Sequence, residues 1–385
     1  MAPRSVKAIV MPSPGKLEVR EFPYPSINEN SAIIKVELSG ICGTDKHMYK
    51  GEVIHPREAP TRFPIIPGHE VVGEIVEIGE RASKIMEINA EPLKPGDRVV
   101  LVCDIRCENC HSCRNIYGFP VCEKNVGVSY GHGISCKDPP HLFGGWAEYV
   151  YVIPEARLAK VPNGVPVEAA VLTELLAVPY SAFGRVMNLW VYGNGYGPGD
   201  NVVVQGVGPL GLLNIIMARL TGAGDIIALD YVDYRLKMAE EFGADYTINM
   251  AEIKSSEERI KEVKYLTGGR GAELVIECTG VPDAVPEGIE MVSQFGTYLI
   301  EGLYIDMGDV KINPQRLIMS KNATIIAVNG QTYQSYGKCL KLMKKYNNKV
   351  RFDKVVTHKF KLEQAQEALR TALSKNSMKV AFKPW

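Results

Sequence analysis

Hydrophobic positions follow two different rhythms along the chain. Over the first 160 residues, short apolar runs punctuated by Gly and Pro predict strands at Val6–Val10, Ser31–Leu38, Glu70–Ile78, Asp97–Val102 and Trp146–Val152. Helical spacing is scarce there, so this part reads as a β-rich, barrel-like domain. After Glu168 the rhythm changes. An apolar strand at Asn201–Gln205 leads into a helix over Pro209–Leu220 with Pro at its start, then a strand at Asp225–Asp230 and a helix over Tyr234–Phe242. A short strand at Tyr246–Ile248, a charged helix near Glu252–Leu266, a strand at Glu273–Cys278, a helix near Asp283–Val292 and strands at Gly296–Ile300 and Thr324–Val328 continue the alternation. Strands alternating with helices of this length require a parallel sheet covered on both faces. The tail carries one amphipathic helix, Tyr336–Tyr346, and a strand, Lys379–Phe382, too little to fold alone. The expected division is therefore 1–174 completed by 329–385, with 175–328 as a doubly wound Rossmann unit.

Composition narrows the partners. The chain has 385 residues, 46% hydrophobic and 23% charged, which suits two soluble domains rather than one core. Lys+Arg and Asp+Glu both number 44, and the resulting zero net charge argues against nucleic acid or an anionic membrane. No apolar run approaches signal-peptide or membrane-span length, so the expected location is cytoplasmic. In that compartment nine cysteines point to metal more than to disulfides, the more so as four crowd into Cys107–Cys122.

The strand Asn201–Gln205 runs straight into Gly206-Val207-Gly208-Pro209-Leu210-Gly211. A lone glycine motif is weak, but this one lies between strand and helix, where its mechanism needs it. The first glycine allows the tight turn, the second lets a pyrophosphate approach the backbone, and the third lets helix and strand pack closely. Asp230 ends the next strand 24 positions after Gly206, placed to accept from both hydroxyls of an adenosine ribose. That carboxylate would repel a 2′-phosphate, so NAD is expected over NADP. Arg235 completes the expected cofactor-binding set.

Two sets of metal-ligating residues stand out. Cys107, Cys110, Cys113 and Cys122 are close enough in sequence to close an all-thiolate tetrahedron around zinc, with no exchangeable position and hence a structural role. The other set is scattered: Gly40-Ile41-Cys42-Gly43-Thr44-Asp45-Lys46-His47, Gly68-His69-Glu70 and Leu172-Thr173-Glu174. Taken alone, Cys42 reads as a buried thiol and His69 as a core histidine.

Together, these motifs and the glycine turn occur in the order found in the zinc-containing medium-chain dehydrogenase/reductase family, which the sequence resembles over nearly its whole length. The resemblance implies a GroES-like β-rich catalytic domain beside the Rossmann domain, NAD, and two zinc ions per chain. By position, Cys42, His69 and Glu174 match the catalytic zinc ligands, and Glu70 a carboxylate able to approach the metal. Asp45 is similar to a carboxylate that orients a ligand. Thr44 and His47 match a relay that hands the alcohol proton to solvent by way of the cofactor ribose. The zinc would acidify an alcohol that does not ionise near neutral pH, so that hydride can pass to the nicotinamide.

A glutamate as third ligand tilts the substrate toward polyols, cyclitols, sugars or amino alcohols, with a secondary alcohol favoured and threonine dehydrogenase a near neighbour. A small molecule is the expected partner, and a homodimer or homotetramer, paired through the Rossmann sheet edge near Ile300–Tyr304, the expected assembly. Two other readings stay open: a zinc-free enoyl or quinone reductase, which the retained ligands oppose, and a non-enzymatic NAD-binding protein. The sequence departs from the family at the spacing before Cys122, one residue longer than usual, which predicts a bulge around Tyr117–Pro120. Segments near Lys50–Arg62, Ser83–Leu93 and Asn188–Pro198 are long, and Gly131–Phe143 adds His132 and His141, expected as surface or packing residues.

Overall fold

The computed structural model describes residues 3–52, 61–115, 122–125, 127–190 and 195–385. The chain divides into two compact units, 1–177 with 330–385, and 178–329. The region Tyr117–Pro120, most of Lys50–Arg62 and the middle of Asn188–Pro198 lie outside the described residues.

The first unit is built on a seven-stranded sheet. Its centre is Ala32–Gly40, whose mostly buried residues mark a strand covered on both faces. This strand pairs antiparallel with Val71–Ile78, Tyr149–Val152 and Lys379–Phe382. Arg98–Val102 and Arg157–Lys160 extend the sheet on one side, and Val356–Phe360 on the other. The tail thus joins the N-terminal segment, through Ala381 opposite Gly40 and Phe382 opposite Ser39. A helix at Ala365–Leu373 seats Ala365, Ala368, Leu369 and Ala372 against Ile9, Trp146 and Phe382. Neither this helix nor the strand Val356–Phe360 is expected from the apolar pattern. A further strand, Glu18–Pro23, pairs only with Ser5–Val10. It has no buried face, and so no period-2 signal.

The second unit carries the parallel sheet, in the order Tyr246–Asn249, Ile226–Asp230, Val202–Gln205, Ala272–Glu277, Val292–Ile300, Thr324–Ala327. Strand order reverses beside Val202–Gln205. This is the switch point outside whose carboxyl ends ligands bind in open α/β sheets. The middle strands are entirely apolar inside, Val202 to Val204 and Ile226 to Leu229, as burial between two helical layers demands. The charged helix begins at Ser256, where the Ser255 side chain accepts from the Glu258 N–H, rather than at Glu252. The long helix Thr173–Trp190 was not expected: it is apolar around much of its circumference and contains Pro179, so the sequence carries no clean 3.6 period there. Among the described residues no helix is long and apolar enough to cross a membrane.

Candidate active site

In the first unit the buried strand Ala32–Gly40 ends at a turn in which Cys42 caps the helix Gly43–Lys50. The cap is secured by Asp45, whose carboxylate accepts from the Cys42 N–H at 2.8 Å and from the Gly68 N–H at 3.3 Å. Asp45 is fully buried. It therefore ties the turn bearing Cys42 to the turn bearing His69, and fixes both relative to one another. This is how it orients the ligands, through their backbones and not through the imidazole. The His69 Nδ1 is buried without a hydrogen-bond partner.

Cys42, His69 and Glu70 bring one ligand atom each within 4.8 Å of one another. Glu174 falls outside that group. Its Oε1 accepts from Gln331 Nε2 at 2.9 Å, and Cys103 Sγ lies 3.9 Å from it. Glu174 nevertheless acts on the cluster electrostatically. Burial alone would lower the His69 pKa, but the Cys42 sulfur and the carboxylates of Glu174 and Asp45 carry it well above the usual value. Burial pushes the Glu174 carboxyl up to about 7 against the pull of His69. Cys42, His69 and Glu70 are thus within a metal's reach of one another, while Glu174, the expected third ligand, is buried behind them with its Oε1 on Gln331 Nε2.

Glu70 is fully buried and pairs through Oε1 with Lys379, itself 2% exposed, while its Oε2 has no partner. Burial opposes the Lys379 charge, but Glu70 and Cys42 outweigh it and raise its pKa. A thiol, an imidazole and an unsatisfied carboxylate oxygen converging in a largely buried site are a donor set for zinc. The residues present fit that ion.

Thr44 is buried, with Oγ1 3.9 Å from Cys42 Sγ. His47, about a third exposed, meets Glu52 through Nδ1, and that contact lowers the Glu52 pKa. Glu52 was not anticipated, and gives the relay residue a carboxylate partner at the surface. His132 is one of the expected packing residues. Its Nε2 lies 2.6 Å from Ser129 Oγ, and its ring stands edge-on to His69 at 5.5 Å, so it walls the site. His141 packs on Phe22 and bonds the Cys136 carbonyl, as a packing residue does.

Cys107, Cys110, Cys113 and Cys122 form the second cluster, again with ligand atoms within 4.8 Å of one another. Cys107 Sγ and Cys113 Sγ lie 4.0 Å apart. A tetrahedron with Zn–S of about 2.3 Å has edges of about 3.8 Å. Backbone N–H groups already point at the sulfurs: Cys113 N at Cys110, Asn125 N and Cys107 N at Cys122. The Cys113 N–H draws the Cys110 thiol down to about 6, while burial and its sulfur neighbours push Cys113 up. The four cannot ionise together without a cation.

In the second unit Gly206 takes φ +83°, open to glycine at no cost, and turns the strand into the helix Pro209–Leu220. A Cβ on Gly211 would stand 1.9 Å from the Gly206 carbonyl oxygen, whereas one on Gly208 would meet nothing within 4 Å. The turn is closed below and open above, the shape a pyrophosphate requires, with Pro209 at the first helical position and Leu210 following it. Asp230 accepts from Val207 N–H at 2.7 Å and Val232 N–H at 3.0 Å, one bond to each oxygen. A carboxylate offers about four acceptor positions, so capacity remains for ribose hydroxyls. Arg235 Nη1 lies 3.9 Å from Asp230. The residues present fit a dinucleotide.

Comparison with known proteins gives the family. Residues 28–163 match the family model of the alcohol dehydrogenase GroES-like domain, and residues 209–345 that of the zinc-binding dehydrogenase. An L-threonine 3-dehydrogenase of Pyrococcus horikoshii is 33% identical over 383 residues, covering 97% of each chain. A 5-exo-hydroxycamphor dehydrogenase of Pseudomonas putida is 31% identical over 94% of each. The crystal structure of an alcohol dehydrogenase from Thermotoga maritima superposes with a TM-score of 0.86 at 31% identity, covering 99% of this chain and 100% of that one. The fold, the order of the motifs and these relatives together make the chain a member of the zinc-containing medium-chain dehydrogenase/reductase family, and an oxidoreductase.

Proposed function

We propose that this protein is an NAD-linked, zinc-dependent dehydrogenase that interconverts a secondary alcohol, polyol or cyclitol and its ketone. The observation that carries the proposal is the buried convergence of Cys42, His69 and Glu70, with the Glu70 Oε2 unsatisfied. The unit 1–177 with 330–385 would hold the metal chemistry, and the unit 178–329 the dinucleotide. Bound there, zinc would supply Lewis acidity to the alcohol oxygen in one direction and the carbonyl in the other. The chain's own residues do the rest. Asp45 keeps the donor turns in register, and the Thr44 hydroxyl can accept and donate a proton at once. His47, with Glu52 behind it, passes that proton to solvent.

Asp230 favours NAD, because its carboxylate occupies the place a 2′-phosphate would need. A glutamate, Glu174, at the position of the third ligand tilts the choice toward polyols, cyclitols or amino alcohols. The threonine and hydroxycamphor named for the two relatives each carry a secondary hydroxyl, which supports a secondary alcohol, and an amino alcohol is the second candidate class. A homo-oligomer is supported by the edge strand Thr324–Ala327, which pairs on one side only and leaves Ile325 38% exposed.

The test is NADH absorbance across polyols, cyclitols, amino alcohols and secondary alcohols, alongside metal analysis. Turnover with about two zinc ions per chain is expected. Absence of zinc, with NADH consumed by an enone or quinone and none formed from the alcohols, would point to a reductase on the same scaffold, and binding without any turnover to a non-enzymatic role.

A further inference from the structure

Glu301 follows the strand Val292–Ile300 at the carboxyl edge of the parallel sheet, and plays no part in the chemistry above. It is 7% exposed. Its Oε2 accepts from Asn214 Nδ2 at 2.7 Å, while its Oε1 is buried without a partner. Asn214 is fully buried on the helix that opens at the glycine turn. Its Nδ2 also lies 3.1 Å from the Leu210 carbonyl and 3.4 Å from Cys278 Sγ, and its Oδ1 has no partner. One buried polar atom on each of the two residues is therefore left without a partner. Leaving a buried acceptor unpaired costs about 1–3 kcal/mol, more if it is charged, so such an arrangement asks for an explanation.

Its position supplies one. Asp230 marks the adenosine side of the switch point, and the glycine turn marks the pyrophosphate. The carboxyl ends of Ala272–Glu277 and Val292–Ile300 lie on the other side of Val202–Gln205, the side left for the nicotinamide half. That ring is the part of the cofactor whose charge changes, positive when oxidised and neutral when reduced.

We propose that Glu301 is a redox-discriminating residue of the cofactor site: its carboxylate favours the oxidised dinucleotide over the reduced one. The proposal rests on the dinucleotide reading above. The groups packed around Glu301 are few. From the helix comes neutral Asn214. From the end of the neighbouring strand come Glu277, whose oxygens accept from Thr279, Gly280 and Gly302, and Cys278, whose thiol is held protonated by burial. Burial, reinforced by Glu277 and opposed by the Asn214 N–H, pushes the Glu301 carboxyl up to about 7. The carboxylate form, and with it the preference for the oxidised cofactor, should therefore grow between pH 6 and 8.

The experiment is fluorescence or calorimetric titration of the zinc-loaded protein with NAD+ and with NADH, for wild type and Glu301→Gln, at pH 6, 7 and 8. Glutamine keeps an oxygen for the Asn214 N–H. The expected result is a loss of about tenfold in NAD+ affinity with NADH little changed at pH 8, and a wild-type ratio of the two affinities that rises with pH but is flat in the variant. Equal losses for both cofactors, or no loss, would overturn the proposal and leave Glu301 a structural partner of Asn214. If Glu301→Gln does not fold, Asn214→Leu decides the question: without the amide donor the rise should move to higher pH, and a rise that stays in place belongs to another group, such as Glu174, and overturns the proposal. If the wild type binds neither dinucleotide, the reading of the glycine turn falls first, and this proposal with it.

Discussion

The glycine turn permits a sharp separation of folding from binding, because its two inner glycines differ in what surrounds them. At Gly211 an added methyl would stand 1.9 Å from the Gly206 oxygen and 3.0 Å from its carbonyl carbon. Both are backbone atoms that no rotamer change can move, so the helix Pro209–Leu220 must shift off the sheet. Overpacking of this kind costs typically about 1–3 kcal/mol. In a unit of this size each kcal/mol lowers the melting temperature by roughly 2–4 °C. At Gly208 the backbone has φ −71° and ψ −172°, which alanine adopts freely, and the methyl meets nothing within 4 Å. Gly208→Ala should therefore melt with the wild type, yet bind NAD+ more weakly, since its methyl fills the space a phosphate needs. A coupling of about 1–3 kcal/mol corresponds to a 5- to 150-fold loss. Gly211→Ala should lose both stability and affinity. The assay is differential scanning calorimetry beside NADH fluorescence titration. If Gly208→Ala binds as the wild type does, the open face of the turn is not where the dinucleotide lies.

The remaining predictions concern the metal clusters and the core. Cys42→Ser should abolish turnover while leaving cofactor binding largely intact, and unchanged turnover with zinc retained would remove Cys42 from the reaction. Cys110→Ser should lower the zinc content by about one ion per chain and destabilise the first unit, with the dinucleotide affinity of the second unit the internal control; unchanged metal content would show that the quartet is not a zinc site. Arg259 and Glu287, 5% and 9% exposed, share two hydrogen bonds of 2.6 and 2.8 Å. Glu287→Gln should cost about 3–5 kcal/mol in urea unfolding, because a buried guanidinium loses its counter-charge. The double variant Arg259→Met/Glu287→Met should recover much of that loss, and strict additivity would count against the pairing.

How far the sequence could be read depended on whether each feature was local. The glycine turn and the cysteine quartet are contiguous, so spacing alone exposes their chemistry. The parallel sheet is legible because its strands are buried on both faces and separated by helices of regular length. Cys42 and His69 become legible only through the order of the motifs along the whole chain, since nothing local distinguishes them from core residues. What stayed hidden was partnership at long range. Lys379 meets Glu70 across 309 positions, and Gln331 meets Glu174 across 157. In the sequence one is a strand lysine and the other a loop glutamine. Both contacts border the donor cluster, and no periodicity reports them. Which residue His132 packs on was hidden for a related reason: the stretch folds back so that Gly131 lies against the His69 turn and the His132 ring against His69.

The interruption of the first unit by the second has a consequence for assembly on the ribosome. Residues 178–329 form a contiguous body that can collapse as soon as it emerges. The metal pocket cannot be completed then, because Lys379 and the strand that carries it are made afterwards. Until that strand docks beside Ala32–Gly40, Glu70 is a buried acid with no counter-charge, and the earlier strands expose an unpaired edge. Nascent chains should therefore acquire dinucleotide affinity before the reaction site acquires metal affinity, and zinc supplied during synthesis would meet the cysteine quartet first.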